Sequence, residues 1–266
     1  MRRSLNLDEM RQIQLELLDR IDEFCTREGI TYSLSGGTML GSVRHKGFIP
    51  WDDDIDLMMP RPDYDRFIQT FNGVYPHTVA ENYYTDPDFP LAFTKVCDTR
   101  TTLVQRHNRM KRFGVFVDIF SVEGTPTDEA DVPAYIDEFF DLSTKLRKRA
   151  PLHRWTTSPL VWLKVVLRRH FYPKSSELIE KIDALRNRVP YESAQFVGSI
   201  AGGTRLQFHF PAEMFRHFQR VPFEGRMVSC IQDTDSYLKQ MYGNYMQLPP
   251  EKDRKLPHLD QAWIEE

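Results

Sequence analysis

One stretch limits the folds open to this chain more than any other: Asp52-Asp53-Asp54-Ile55-Asp56-Leu57-Met58-Met59. Its second half has the apolar character of a buried strand, yet the strand is entered through a run of carboxylates. Side chains two residues apart on a strand point the same way, so Asp54 and Asp56 are expected on one face, with Ile55 and Leu57 on the other. Like charges on a half-buried strand repel and lose hydration, and a cation relieves both costs. Hard oxygen ligands favour Mg²⁺ or Mn²⁺, whose further partners include phosphate oxygens. The competing reading is a solvated acidic turn, and the bare run leaves both open. A calcium EF-hand loop is excluded, because Leu57 stands where glycine is required and Asp63 where glutamate belongs.

A third carboxylate comes from Gly114 to Phe120, where Asp118 alone interrupts an otherwise apolar strand. If that strand lies beside the first, Asp118 completes a three-carboxylate site able to hold two metal ions. The alternative is a satisfied buried carboxylate. Upstream, Ile30, Tyr32 and Leu34 alternate with polar residues as a half-buried strand does, and Ser35-Gly36-Gly37 leads on into a short helix from Thr38 to Val43. Glycines between a strand and a helix start let backbone N–H groups approach an anion closely. A glycine pair alone serves only a turn; followed some twenty residues later by paired carboxylates, it puts phosphate and metal sites side by side.

The remaining pattern is α+β. Met10, Ile13, Leu17, Ile21 and Phe24 recur at helical spacing between an Asn6/Glu9 cap and a Gly29 stop. A helix is expected from Asp63, strands around 93–97, 102–105 and 115–121, then helices over 128–149, 159–171 and 175–189. Two further strands, 196–200 and 227–231, precede a helix over 233–242. The tail from Pro249 is expected to run over the surface. These elements divide the chain near Gly124 to Pro126 into residues 1–125, a sheet flanked by helices, and residues 126–266, a mainly helical lobe whose tail completes the site.

With 35 Lys+Arg against 38 Asp+Glu, the net charge of −3 lacks the basic excess of a nucleic-acid-tracking protein. The cysteines Cys25, Cys97 and Cys230 are odd in number and form no C-x-x-C pair, so neither a disulfide framework nor a zinc site is indicated. The N-terminus turns polar where a signal peptide needs an apolar segment, and no stretch has the length of a spanning helix. A cytoplasmic protein is expected. The basic-apolar stretch around Trp162 to Arg169 fits either a buried helix or peripheral contact with an anionic membrane.

The residues from Ser35 to Asp56, SGGTMLGSVRHKGFIPWDDDID, closely resemble the signature of LicD-family phosphotransferases. The resemblance extends through Lys95, Thr101-Thr102 and Val117-Asp118-Ile119-Phe120. It resumes in Tyr242-Gly243-Asn244-Tyr245-Met246, Pro249-Pro250 and His258, and leaves 128–189 unmatched. It implies a polymerase-β-type nucleotidyltransferase core with a mixed sheet flanked by helices, in which Gly36-Gly37, Asp54-x-Asp56 and Asp118 take the places of the glycine turn and three carboxylates. It also implies transfer of phosphocholine or a related phospho-group from a CDP-linked donor to a sugar of a cell-surface glycan or its lipid-linked precursor, with release of CMP.

On that reading Asp54, Asp56 and Asp118 bind two Mg²⁺ or Mn²⁺ ions, and Ser35, Gly36 and Gly37 hold a donor phosphate. Arg44, Lys46 and Lys95 are candidates to neutralise phosphate, each also readable as an ordinary solvated cation. His45 and His258 are candidates for proton transfer or substrate contact, and Trp51 for stacking on a base or headgroup, against purely structural roles. Three alternatives share the acidic strand: a nucleotidyltransferase releasing pyrophosphate, an Asp-x-Asp glycosyltransferase, and a non-catalytic nucleotide-binding protein.

Overall fold

The first long helix follows from its cap. The Glu9 backbone N–H donates to the Asn6 side chain at 2.9 Å and the Asn6 N–H donates to the Glu9 carboxylate at 2.8 Å, a reciprocal box that satisfies two helix-end donors. The computed structural model describes residues 2–105, 108–149, 163, 167, 171–202, 209–254 and 259–265. In it α1 runs Leu7–Glu28 and closes at Gly29, whose φ of 62° is the left-handed conformation that glycine adopts most easily. Ile13, Leu17, Leu18, Ile21 and Phe24 form its buried stripe.

The sheet that carries the candidate site is built around β8 (Phe116–Thr125), all ten residues of which are buried. Numbered in chain order from β1 (Arg2–Leu5), the preceding elements are β2 (Ser33–Leu34), α2 (Gly36–His45), β3 (Asp56–Pro60), α3 (Arg61–Thr70), β4 (Thr78–Glu81), β5 (Thr94–Asp98), β6 (Thr101–Gln105) and β7 (Asn108–Phe113). After β8 come α4 (Val132–Arg149), α5 (Ser175–Arg186), β9 (Phe196–Gly198), β10 (Phe210–Pro211), β11 (Phe218–Phe223), β12 (Arg226–Ile231), α6 (Thr234–Tyr242) and β13 (Leu259–Glu265). One edge of β8 pairs with β3 in parallel; the other pairs antiparallel with β5 and then with β9. Strands β2, β4 and β10 extend the sheet beyond β3, β5 and β9. A second sheet has the order β1-β13-β6-β7.

The antiparallel hairpin β11–β12 supports the segment after α2. Its tip residue Glu224 donates its N–H to the Lys46 carbonyl at 2.9 Å and accepts the Phe48 N–H at 2.9 Å. Arg220 and Arg226 of the hairpin pair with Asp22 and Asp19 of α1.

The mixed α+β class is as expected, but several elements differ. The strand expected over 30–34 pairs only at Ser33 and Leu34, and α2 begins at Gly36 rather than Thr38. Helix α3 starts at Arg61, because Pro62 is compatible with a first helical turn. The second half was expected to be mainly helical with strands at 196–200 and 227–231; those two form as β9 and β12, and β10, β11 and β13 join them. The added strands are short or interleaved with turn residues, so no long period announces them. The tail also departs from a surface path, for β13 inserts between β1 and β6 with Ala262 buried. The helix expected over 159–171 lies outside the described residues apart from Leu163, Leu167 and Phe171.

A buried ionic group fastens α5 to β8. Arg186 and Glu123 both have fully buried side chains, with Arg186 Nε 3.0 Å from Glu123 Oε1, and Arg61 reaches the same oxygen at 3.8 Å. Arg186 also donates to the Tyr83 hydroxyl and the Ala92 carbonyl, while Ser121 donates to Glu123. Burial pushes the Glu123 carboxyl up, and the two guanidiniums act against that shift. Removing one partner leaves a buried charge uncompensated, so Arg186→Ala should cost about 3–5 kcal/mol in urea unfolding. The neutral pair Arg186→Met with Glu123→Gln should cost less; equal losses would mean that packing, not pairing, holds the helix.

Candidate active site

Three charged residues stand in a row across adjacent strands. Asp56 opens β3 opposite Asp118 of β8 in the parallel ladder, and Lys95 of β5 faces Asp118 from the other edge. Residues paired across neighbouring strands present their side chains on the same face. Lys95 Nζ lies 2.7 Å from Asp118 Oδ1 and 2.9 Å from Oδ2. The lysine is 2% exposed, and its ammonium sits 3.2 Å from the centroid of the Phe116 ring.

The acidic run reaches this row from a clamped loop. Arg11 of α1 donates to the carbonyls of Ile49 and Pro50, both at 3.2 Å, and of Asp52 at 2.6 Å. Gln14, one turn along, donates to the Asp53 carbonyl at 2.9 Å. The ladder begins only at Asp56, so Asp54 lies on the approach to β3 rather than on the shared strand face that simple alternation implies. Even so, carboxylate oxygens of Asp52, Asp53 and Asp54 come within 4.8 Å of one another.

The start of α2 closes the site. The Ser35 N–H donates to the Asp56 carbonyl at 2.9 Å, and the Asp56 N–H to Thr38 Oγ1 at 2.8 Å. Gly36 has φ 47°, and a Cβ there would lie 3.7 Å from Asp56 Oδ2. At Gly37 a Cβ would lie 2.8 Å from Asp52 Oδ2, closer than side chains tolerate, so this glycine is needed for the carboxylate to approach the helix. Tyr237 of α6 accepts the Gly36 N–H at 3.3 Å, and Tyr242 Oη lies 3.5 Å from the Cβ position of Gly36.

Charge is concentrated here beyond what the chain's own cations balance. The Asp56 carboxyl is held well above the usual range by burial first, then by Asp54, Asp118 and Asp52, with Lys95 opposing. Burial, then Asp54 and Asp53, push Asp52 up to about 7. The donor set is all carboxylate oxygen, drawn together against a helix N-terminus with room made by glycine. Such a set fits a hard divalent ion, Mg²⁺ or Mn²⁺, better than a soft or nitrogen-seeking one.

Beside the cluster lies an open cleft of about 530 Å³ lined by Leu40, Arg44, Trp51, Tyr242, Tyr245 and Pro249 among others. Arg44 Nε donates to His45 Nε2 at 2.9 Å, and Nη1 to the Tyr245 carbonyl at 2.8 Å. Arg254 lies over the Trp51 ring at 5.2 Å, and His45 meets that ring edge-on. The structure therefore gathers Ser35, Gly36, Gly37, Asp54, Asp56, Lys95 and Asp118, and sets Arg44, His45 and Trp51 around the adjoining cleft. Exposed Lys46 instead ends α2 and donates to the Val43 carbonyl at 3.3 Å. His258 lies outside the described residues.

Sequence reasoning missed the close contact of Asp52 with Gly37, the tyrosines of α6, Arg254, and the clamp of Arg11 and Gln14. Only the clamp left a local sign, as two polar residues three apart beside the apolar stripe of α1.

A family model described as "LicD/FKTN/FKRP, nucleotidyltransferase domain" matches residues 29–133. The lipopolysaccharide cholinephosphotransferase LicD of Haemophilus influenzae is 32% identical, covering 98% of this chain and 99% of that protein. An uncharacterized protein of Rickettsia typhi is 41% identical over 20% of this chain and 18% of its own. A second, from Rickettsia prowazekii, is 42% identical over 18% of each.

Raised carboxyl pKa values mean that the folded, metal-free chain holds these protons more tightly than the unfolded one. The resulting stability is complete below about pH 4 and is lost as pH rises through about 7. Metal-free protein should thus melt higher at about pH 6 than at about pH 8, with Mg²⁺ recovering the difference and Asp52→Asn flattening it. A melting temperature indifferent to both pH and Mg²⁺ would contradict this clustering of carboxylates.

Proposed function

The chain belongs to the LicD family, as its likeness to the Haemophilus influenzae protein along nearly the whole length shows, and from that premise we propose what this phosphotransferase moves, and from what to what. It transfers phosphocholine or a closely related phospho-group from a CDP-linked donor to a sugar hydroxyl of a cell-surface glycan or its lipid-linked precursor, releasing CMP. The relative's name, a lipopolysaccharide cholinephosphotransferase, supports both cargo and acceptor class.

The observation that carries the chemistry is the approach of Asp52 and Asp56 to the first turn of α2 at Gly37 and Gly36. A helix N-terminus offers backbone N–H groups and a positive dipole end to a phosphate. Ser35, Gly36 and Gly37 hold the donor diphosphate there, and Asp54 and Asp56 would hold Mg²⁺ or Mn²⁺, with Asp118 beside Asp56 on the neighbouring strand. When bound, the metal neutralises charge on the phosphoryl group during in-line attack. An aspartate of the cluster accepts the proton of the attacking hydroxyl, and the oxygen of that hydroxyl forms the new ester bond to phosphorus as the bond to CMP breaks. The same placement supports a nucleotidyltransferase-type core, with Asp118 on the strand next to Asp56.

The adjoining cleft suits the nucleotide end of the donor. Arg44 offers a guanidinium to phosphate, and Tyr242 and Tyr245 offer flat faces to a base. The Trp51 face already carries the Arg254 guanidinium, which makes it a poor seat for a second cation such as choline. His45 is engaged as the acceptor of Arg44 Nε, so it orients that arginine rather than moving the hydroxyl proton. No helix among the described residues is long and apolar enough to cross a membrane, and work on a lipid-linked precursor at the inner membrane face needs peripheral contact only.

Incubation with CDP-choline and glycan acceptors should yield CMP and a product heavier by phosphocholine. Asp54→Ala and Asp56→Ala should each lower turnover by more than about a hundredfold, above the loss typical of residues behind a metal's direct ligands, with unfolding transitions intact. Pyrophosphate released from CTP in place of CMP would make the chain a nucleotidyltransferase; full turnover in either variant would sink the metal assignment.

A further inference from the structure

A buried ammonium is costly unless its charge is matched, and the Lys95 ammonium is seated on the Asp118 carboxylate. Its Nζ lies 2.7 and 2.9 Å from the two oxygens of Asp118. The two residues are opposite one another in the β5–β8 ladder, so backbone register rather than the reach of a flexible stem sets the pair. Besides Phe116 at 3.2 Å, the rings of Phe93 and Phe113 stand 5.3 and 5.5 Å from the ammonium. Three aromatic rings exclude water from the ammonium and attract it electrostatically. A lysine held this way has no freedom to swing toward a donor phosphate.

On its other edge β8 pairs Asp118 with Asp56, the residue at the metal-binding end of the acidic run. A divalent ion placed between Asp56 and Asp118 would share the Asp118 carboxylate with a fixed positive charge, and like charges in a low-dielectric pocket repel strongly. We propose that Lys95 is the resident second cation of this site: it neutralises Asp118 where a second divalent ion would otherwise bind, so the chain takes one Mg²⁺ or Mn²⁺, at Asp54 and Asp56 beside the start of α2. This rests on the phosphotransfer reading above. Lys95 touches no substrate; it is a positioning residue that fixes Asp118 and sets the metal count. Lys95 is built into the fold rather than bound from solution, so activity follows the filling of one metal site.

Bound Mn²⁺ is counted by isothermal titration and by loss of the free-ion electron paramagnetic resonance signal, with and without saturating CMP. Wild type should bind one ion per chain under both conditions, as should Lys95→Arg. Lys95→Met frees the Asp118 carboxylate and should bind two, and its melting temperature should keep rising with Mn²⁺ beyond the concentration that saturates wild type. The double variant Lys95→Met with Asp118→Asn should return to one. Two ions in wild type, a count that needs no variant to fold, overturn the inference and leave metal-dependent transfer standing. One ion in a folded Lys95→Met variant does the same. No bound Mn²⁺ in any form overturns both the inference and the metal reading beneath it.

Discussion

The parallel pairing of β3 with β8 is the constraint on which the rest of the site depends. It puts Asp56 beside Asp118, and the antiparallel pairing of β5 on the far edge puts Lys95 beside Asp118 in turn. A slip of β3 by one residue would turn Asp56 to the opposite face, and a slip of β5 by one residue would take Lys95 away from Asp118. The geometry of the candidate site and the sheet register are therefore coupled through the same two ladders.

The two buried carboxylates on β8 are matched differently. Glu123, toward the end of the strand, is matched by Arg186 and approached by Arg61, and serves to hold α5 against the sheet. Asp118, five residues earlier on the same strand, is matched by Lys95 and lies next to Asp56, which meets the other carboxylates of the acidic run. One end of β8 is closed by internal pairing, and at the other Asp118 and Asp56 stand beside the further carboxylates of the acidic run, which push the Asp56 carboxyl up. Arg11 and Gln14 hold the acidic loop by its carbonyls, and the Asp52 carboxylate reaches the start of α2 at Gly37.

Much of this was legible in the sequence where a local physical rule governs. The Asn6/Glu9 cap, the Gly29 stop and the apolar stripe of α1 follow from helix geometry alone. A lone aspartate in an apolar strand announced that Asp118 needed a partner, and the long stretch from Ser35 to Asp56 pointed to the family. What stayed hidden depends on partners distant in the chain. Alternation put Asp54 on the strand with Asp56, whereas the strand starts two residues too late for that and a clamped loop carries Asp54 instead. Lys95 read as a solvated cation or phosphate ligand because nothing nearby in sequence shows that Asp118 holds it. Tyr237 and Tyr242 come to Gly36 from some two hundred residues away. Strand β13 sits in a tail whose prolines and charges mask its role.

The most direct measurement of the central claim is the anomalous scattering of Mn²⁺ in crystals of the protein. One peak is expected at about 2.1 Å, the distance for a small divalent ion, from carboxylate oxygens of Asp54 and Asp56, near the first turn of α2, with Lys95 still seated on Asp118. A peak bridging Asp56 and Asp118 with Lys95 displaced, or no peak at the acidic cluster, would contradict it.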